Sequence, residues 1–188
     1  MSLAPSDDAL TRASASALGG LASLTAGDLS GAHAAYTRTV AELTRVGFLA
    51  DVLGCCITLG DIRRTQGRLG DALRTYRHAL DLAAARAGTE PLRGTADMHV
   101  GIAAVLLERD DIPAAGEHLD ISRRLGDHLG LPQNPYRWRV AMARLREAEG
   151  ALDEALELLH EADRVYNRDY NPDVRPVPAV RARLRLRR

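Results

Sequence analysis

The sequence predicts an all-α chain, an α-solenoid of about four stacked helical hairpins plus one unpaired C-terminal helix, and three observations carry that prediction. The first is composition: of 188 residues, 46% are hydrophobic but only 4% aromatic, so Ala and Leu dominate the apolar set and favour helix over sheet. The second is a repeat of four segments, each a turn followed by an apolar residue two places on and Ala five places on. The third is that further columns of small and large residues stand in register with those turns.

The turns are Gly27-Asp28-Leu29 with Ala32, Gly67-Arg68-Leu69 with Ala72, Asp110-Asp111-Ile112 with Ala115, and Gly150-Ala151-Leu152 with Ala155, spaced by 40, 43 and 40 residues. Seven residues before each turn stands a small residue: Gly20, Gly60, Ala103, Ala143. Nine after it stands a large one (Tyr36, Tyr76, Leu119, Leu159), and twelve after it Thr39, Ala79, Ser122 and Ala162. Small residues on both helices of a hairpin let the two axes approach, and the large residues fill the space that remains. One hairpin cannot bury its own apolar face, so the units must stack.

Taken in order, the first helix covers 8–26 and ends at the Gly27 turn, and 29–46 returns along it. The second hairpin is 48–66 and 69–86 around Gly67, and the third is 90–109 and 112–130. In the third, Asp111 precedes an apolar run and serves as helix N-cap, with Asp110 in the turn. The fourth is 134–149 and 152–167, and a last helix spans 177–188. Loops near Gly88, Leu131 to Pro135 and Asn171 to Pro178 carry Gly, Pro and Asn punctuation. Residues 1–7 read as a cloning scar or loose start, and 8–188 as one repeat domain with units at about 8–46, 48–86, 90–130 and 134–170 and the start of a fifth at 177–188.

These columns resemble the tetratricopeptide repeat, whose usual period is shorter, about 34 residues, and whose usual closing Pro is absent here. The second half is similar to something narrower. Met98 through Glu117-His118-Leu119, Asn134-Pro135-Tyr136-Arg137, Ala143-Arg144-Leu145, Gly150 to Ala155 and Pro172-Asp173-Val174-Arg175-Pro176-Val177 resemble the tetratricopeptide sensor region of MalT-like, LuxR-family transcriptional regulators. The resemblance implies an effector-sensing and protein-contact domain that works beside an ATP-binding module and a DNA-binding helix-turn-helix. Neither neighbour is in this sequence: it contains no Lys, hence no G-x-x-x-x-G-K-[ST] loop, and no separate helix-turn-helix segment. The expectation is therefore a fragment of a longer solenoid. The alternative is a free-standing tetratricopeptide adaptor that holds a peptide.

Chemistry-bearing patterns are few. The six histidines (His33, His78, His99, His118, His128, His160) show no H-E-x-x-H or zinc spacing, and the paired acids Asp7-Asp8 and Asp110-Asp111 have no partner motif. Cys55 and Cys56 are adjacent, which excludes an ordinary disulfide framework, and Cys56 falls in a packing column. No enzyme, cofactor or metal is expected. Equal numbers of basic and acidic residues, 25 each, remove any whole-protein attraction to nucleic acid or anionic lipid. No apolar run approaches 18 residues and no leader pattern opens the chain, so a cytoplasmic protein without a membrane span is expected. The run Arg181, Arg183, Arg185, Arg187, Arg188, with Arg175, is basic, and is read as the face of an incomplete repeat rather than a sequence-specific DNA contact.

The resemblance places a ligand or partner groove on the first helix of each hairpin. Counting back from each turn, its positions here are Asp61, Arg64, Asp97, Val100, Glu108, Arg137, Val140, Arg144 and Glu147. Mixed charge and few aromatics suit a polar small-molecule inducer or a peptide better than stacked sugars or bases. Arg137 and Arg144 lie seven apart on one stripe, with Asp97, Val100 and Glu108 expected beside them on the preceding hairpin. Other domains of the parent regulator and a second copy of the chain are further expected partners.

Overall fold

A computed structural model describes residues 5–86, 91–165 and 177–187. Among the described residues all regular structure is helical: α1 (Pro5–Thr25), α2 (Leu29–Val46), α3 (Leu49–Thr65), α4 (Leu69–Arg86), α5 (Thr95–Glu108), α6 (Ile112–Leu129), α7 (Asn134–Ala148), α8 (Leu152–Arg164) and α9 (Val177–Arg187). The expected bounds of α2 and α4 coincide with those observed. Gly88, residues 171–176, Arg175 and Arg188 lie outside the described residues. The chain divides into two compact units, 1–92 and 93–188.

The four turns share one geometry. Gly27, Gly67, Asp110 and Gly150 all have positive φ, between 61° and 82°. Each donates its backbone N–H three residues back, and the residue after it donates five back, as in Asp28 N to Ser23 O at 2.8 Å and Ala151 N to Arg146 O at 2.8 Å. This closure satisfies the last carbonyls of the first helix and needs a left-handed residue, which explains glycine at three of the four sites. Asp28 caps α2 by accepting from Gly31 N at 2.9 Å, and Asp111 caps α6 by accepting from Ala114 N at 3.4 Å. The Asp111 cap and the Asp110 turn are those expected from sequence.

In the first unit, α1 and α2 form one hairpin, α3 and α4 another, and α2 packs on α3. A Cβ on Gly20 would stand 2.8 Å from the Tyr36 ring, and one on Gly60 only 2.3 Å from the Tyr76 ring. The small and large columns therefore meet face to face. Ala32, Tyr36, Leu59 and Ile62 form a core cluster with Cys55 packed against it. Burial pushes the Cys55 thiol up to about 12, helped by Cys56 and Asp51, and that of Cys56 up to about 11, so both stay protonated at neutral pH.

In the second unit, α5 and α6 form a hairpin, α7 and α8 the next, and α9 packs on α8. The columns carry Ala103 with Leu119 and Ala143 with Leu159, all fully buried. Val177 and Leu184 of α9 complete a cluster with Tyr136, Val140, Ala143, Leu156 and Leu159. Helix α1 begins at Pro5 rather than 8 and α8 ends at Arg164 rather than 167, and two further features of the second unit differ from expectation. Helix α5 begins at Thr95 rather than 90, because Gly94 takes φ +97° and donates its N–H to Leu129 O at 2.7 Å, which makes 91–94 a connecting turn. Helix α6 is interrupted at Gly126, whose φ of 65° and ψ of −169° depart from helix.

Candidate functional site

The nine positions read from sequence as a groove wall divide by burial. Asp61 is wholly buried and accepts the Tyr76 hydroxyl at 2.9 Å, with Arg64 Nε 4.0 Å from the same carboxylate and its side chain almost covered. Its carboxylate satisfies the phenol that fills the space over Gly60, so this pair belongs to the interior of the first unit. Val100 and Val140 are also core residues. Their aliphatic side chains are spent on helix packing and are not presented to a ligand.

Asp97 and Arg137 are 2% and 6% exposed. Asp97 Oδ2 accepts from Leu131 N at 2.8 Å, and Asp97 Oδ1 lies 3.5 Å from Arg137 Nη1. One carboxylate on α5 thus fastens both the α6–α7 connection and the first turn of α7. The expectation of an accessible Arg137 is corrected by this geometry: its charge is neutralised inside the unit, where a dry ion pair is required to be matched.

Two positions remain at the surface, Glu108 and Arg144, both in the second unit, while the Glu147 side chain is largely covered. Glu108 of α5 accepts from Arg144 of α7 at 2.8 Å. Glu147, one turn along from Arg144, accepts from Arg183 at 2.6 Å and Arg187 at 2.9 Å, both on α9. The result is a row of alternating charge across α5, α7 and α9, the first helices of successive hairpins. Lateral pairing of α7 with α5 was legible as a stripe; the pairing of Glu147 with the basic C-terminal run was not. That run is largely engaged, since Arg181 also pairs with Asp163 of α8. Of the described arginines in it, Arg183, Arg185 and Arg187 are exposed, and Arg185 has no ion pair among the described residues.

Two further arrangements escaped the sequence reading. His99 and His118 bring their Nδ1 atoms to 2.8 Å across α5 and α6, and burial, with repulsion from His118, lowers His99 to about 4. Their spacing across two helices has no linear signature. The other is a cleft of about 390 Å³ among α6, α7 and α8, lined by the single tryptophan, Trp138, and by acids of α8. Glu154, Glu157 and Glu161, at helical spacing on one stripe, were a readable sign of it. Among the described residues, no group of three or more His, Cys, Asp or Glu could hold a metal ion, and no helix is long and apolar enough to cross a membrane.

Among solved structures, the chain is similar to a tetratricopeptide repeat protein from Parabacteroides merdae, at 16% identity over 94% of this chain and 77% of that one, with a TM-score of 0.48. No curated protein sequence matches it. The sequence model for the MalT-like TPR region matches residues 1–188, the whole of the sequence. The repeat columns, the four equivalent turns and that match lead to one statement: the chain belongs to the MalT-like tetratricopeptide region family.

Proposed function

We propose that this chain is the effector-sensing and protein-contact region of a MalT-like, LuxR-family transcriptional regulator, acting in the cytoplasm within a longer protein that also carries an ATP-binding module and a helix-turn-helix domain. The observation that carries this reading is the family match over residues 1–188. The surface pair Glu108–Arg144, with Arg183 and Arg187 exposed over the covered Glu147, supports a polar effector or an acidic peptide as the partner. An incoming carboxylate or phosphate competes with Glu108 for Arg144 and with Glu147 for the two α9 arginines. The Glu108–Arg144 pair is exposed, and such pairs contribute about 0.2–1 kcal/mol, so exchange there is cheap, whereas exchange at the α9 arginines must leave the covered Glu147 a counter-charge. It alters the ties among α5, α7 and α9 without touching the buried core.

The reading frame around these codons is the first test: an ATP-binding loop upstream and a helix-turn-helix downstream are expected, and stop codons at both ends would remove the regulator reading. In the full-length regulator, Arg144→Glu is expected to abolish inducer-dependent transcription from a reporter while the protein stays folded. Full induction by that variant would move the sensing surface off this row.

A further inference from the structure

The cleft among α6, α7 and α8 lies apart from the charged row and has its own chemistry. Trp138 of α7 is fixed in place because its Nε1–H donates to Leu119 O at 2.9 Å, which holds the indole at the cleft half-buried. Met142 of α7 and Leu158 of α8 extend that apolar floor. The rim is acidic, with Asp120 of α6 and Glu154, Glu157 and Glu161 of α8 set against two lining arginines.

Those arginines are already engaged. Arg146 lies 2.5 Å from Glu149 and 3.1 Å from Glu154, and Arg123 lies 3.6 Å from Asp120. Glu161 is met by Arg139 at 3.0 Å. Glu157 has no ion-pair partner among the described residues, and it is exposed at the cleft. An apolar stem packs on the indole, methionine and leucine, and the Glu157 carboxylate at the same cleft supplies the counter-charge for a cationic head. A volume of about 390 Å³ stands at the small end of ordinary ligand sites.

We propose that this cleft binds a small organic cation with an apolar body, an ammonium or guanidinium on an alkyl or aryl stem, its charge at Glu157 and its stem against Trp138, Met142 and Leu158. The inference rests on the second unit alone and stands whether or not the chain senses an effector on the charged row. An anion is disfavoured by four carboxylates in the lining against two paired guanidiniums.

The experiment uses the sole tryptophan as reporter, titrating the 188-residue protein with 2-phenylethylammonium and agmatine and following Trp138 emission. A saturable change is expected with both cations below about 10 mM, in the millimolar affinity range or tighter. The neutral 2-phenylethanol is expected to give none. Glu157→Gln leaves no buried group unpaired and is expected to weaken cation binding about three- to fivefold, and raising salt from about 0.05 to 0.5 M to weaken it further. Calorimetry on Trp138→Phe checks the indole contribution independently of fluorescence, with weaker binding expected. No saturable response to either cation, an equal response to the neutral alcohol, or unchanged affinity in Glu157→Gln would each overturn the proposal.

Discussion

The two units solve one packing problem in opposite ways. In the first, the close-approach column is glycine and the filling column tyrosine, Gly20 under Tyr36 and Gly60 under Tyr76. In the second it is alanine and leucine, Ala103 with Leu119 and Ala143 with Leu159. Volume moves from one helix to the other while the hairpin turn stays the same. The tyrosine solution brings a hydroxyl indoors, and at Tyr76 this requires the buried Asp61. The leucine solution has no such requirement, and the second unit spends its buried carboxylate, Asp97, on holding a loop and the start of α7.

The largest effect that separates the units is expected at Arg137. Truncation to Ala takes the counter-charge from buried Asp97 and leaves it the Leu131 N–H, and breaking one side of a buried pair costs about 3–5 kcal/mol. Denaturant titration with hydrogen exchange read on α5 to α9 measures the loss in the second unit. Full protection there would show that the pair is wet.

Next comes Gly60→Ala. Alanine gains about 1 kcal/mol of helix propensity, yet its Cβ meets a Tyr76 ring that is fully buried and held by Asp61, so a net loss of about 2 kcal/mol is expected. Gly19→Ala, where no atom stands within 4 Å of the new Cβ, is the control and is expected to gain about 0.5–1 kcal/mol. If both variants melt alike, the volume exchange between columns is not what fixes the hairpin.

A smaller effect follows from His99, confined to the second unit. Its folded value of about 4 lies below the ordinary 6.5, so the unfolded chain binds a proton that the folded one refuses. Stability is therefore full above about pH 6.5 and falls as pH drops towards 4. With allowance for partial exposure, the loss is about 1–2 kcal/mol. His99→Gln is expected to flatten the melting profile in that window; an unchanged profile would place the titrating group elsewhere.

The smallest is Asp110→Gly. Asp110 is the one non-glycine residue with positive φ among the described residues, at 61°. Restoring the glycine used by the other three turns is expected to stabilise the second unit by about 0.5–1 kcal/mol, seen as a higher Tm. A lower Tm would mean that the aspartate side chain contributes more than its backbone strain removes.

Much of this was written in the sequence because the columns repeat. Ala32, Ala72, Ala115 and Ala155, all fully buried, were identifiable from register alone, and so were the turns. The candidate wall was less legible for a physical reason. Counting along one helix says which residues share a stripe but not what covers that stripe, and acids and bases that neutralise each other across helices, as Asp97 and Arg137 do, can be interior. Glu108 and Arg144, nearer the ends of their helices, stay at the surface. The interruption at Gly126 and the late start of α5 were hidden because each depends on a backbone conformation no periodicity records.

Gly60, Asp61 and Tyr76 also constrain how such a hairpin can change over generations. Replacing Tyr76 by leucine leaves Asp61 without its phenol, enlarging Gly60 first drives a methyl into the ring, and removing Asp61 first takes an acceptor from a buried hydroxyl. Each single step lowers fitness if stability is what selection sees, although the endpoint, an alanine–leucine hairpin, already works in the same polypeptide. The three sites are energetically coupled, so a glycine–tyrosine hairpin reaches the alanine–leucine form only by concerted change.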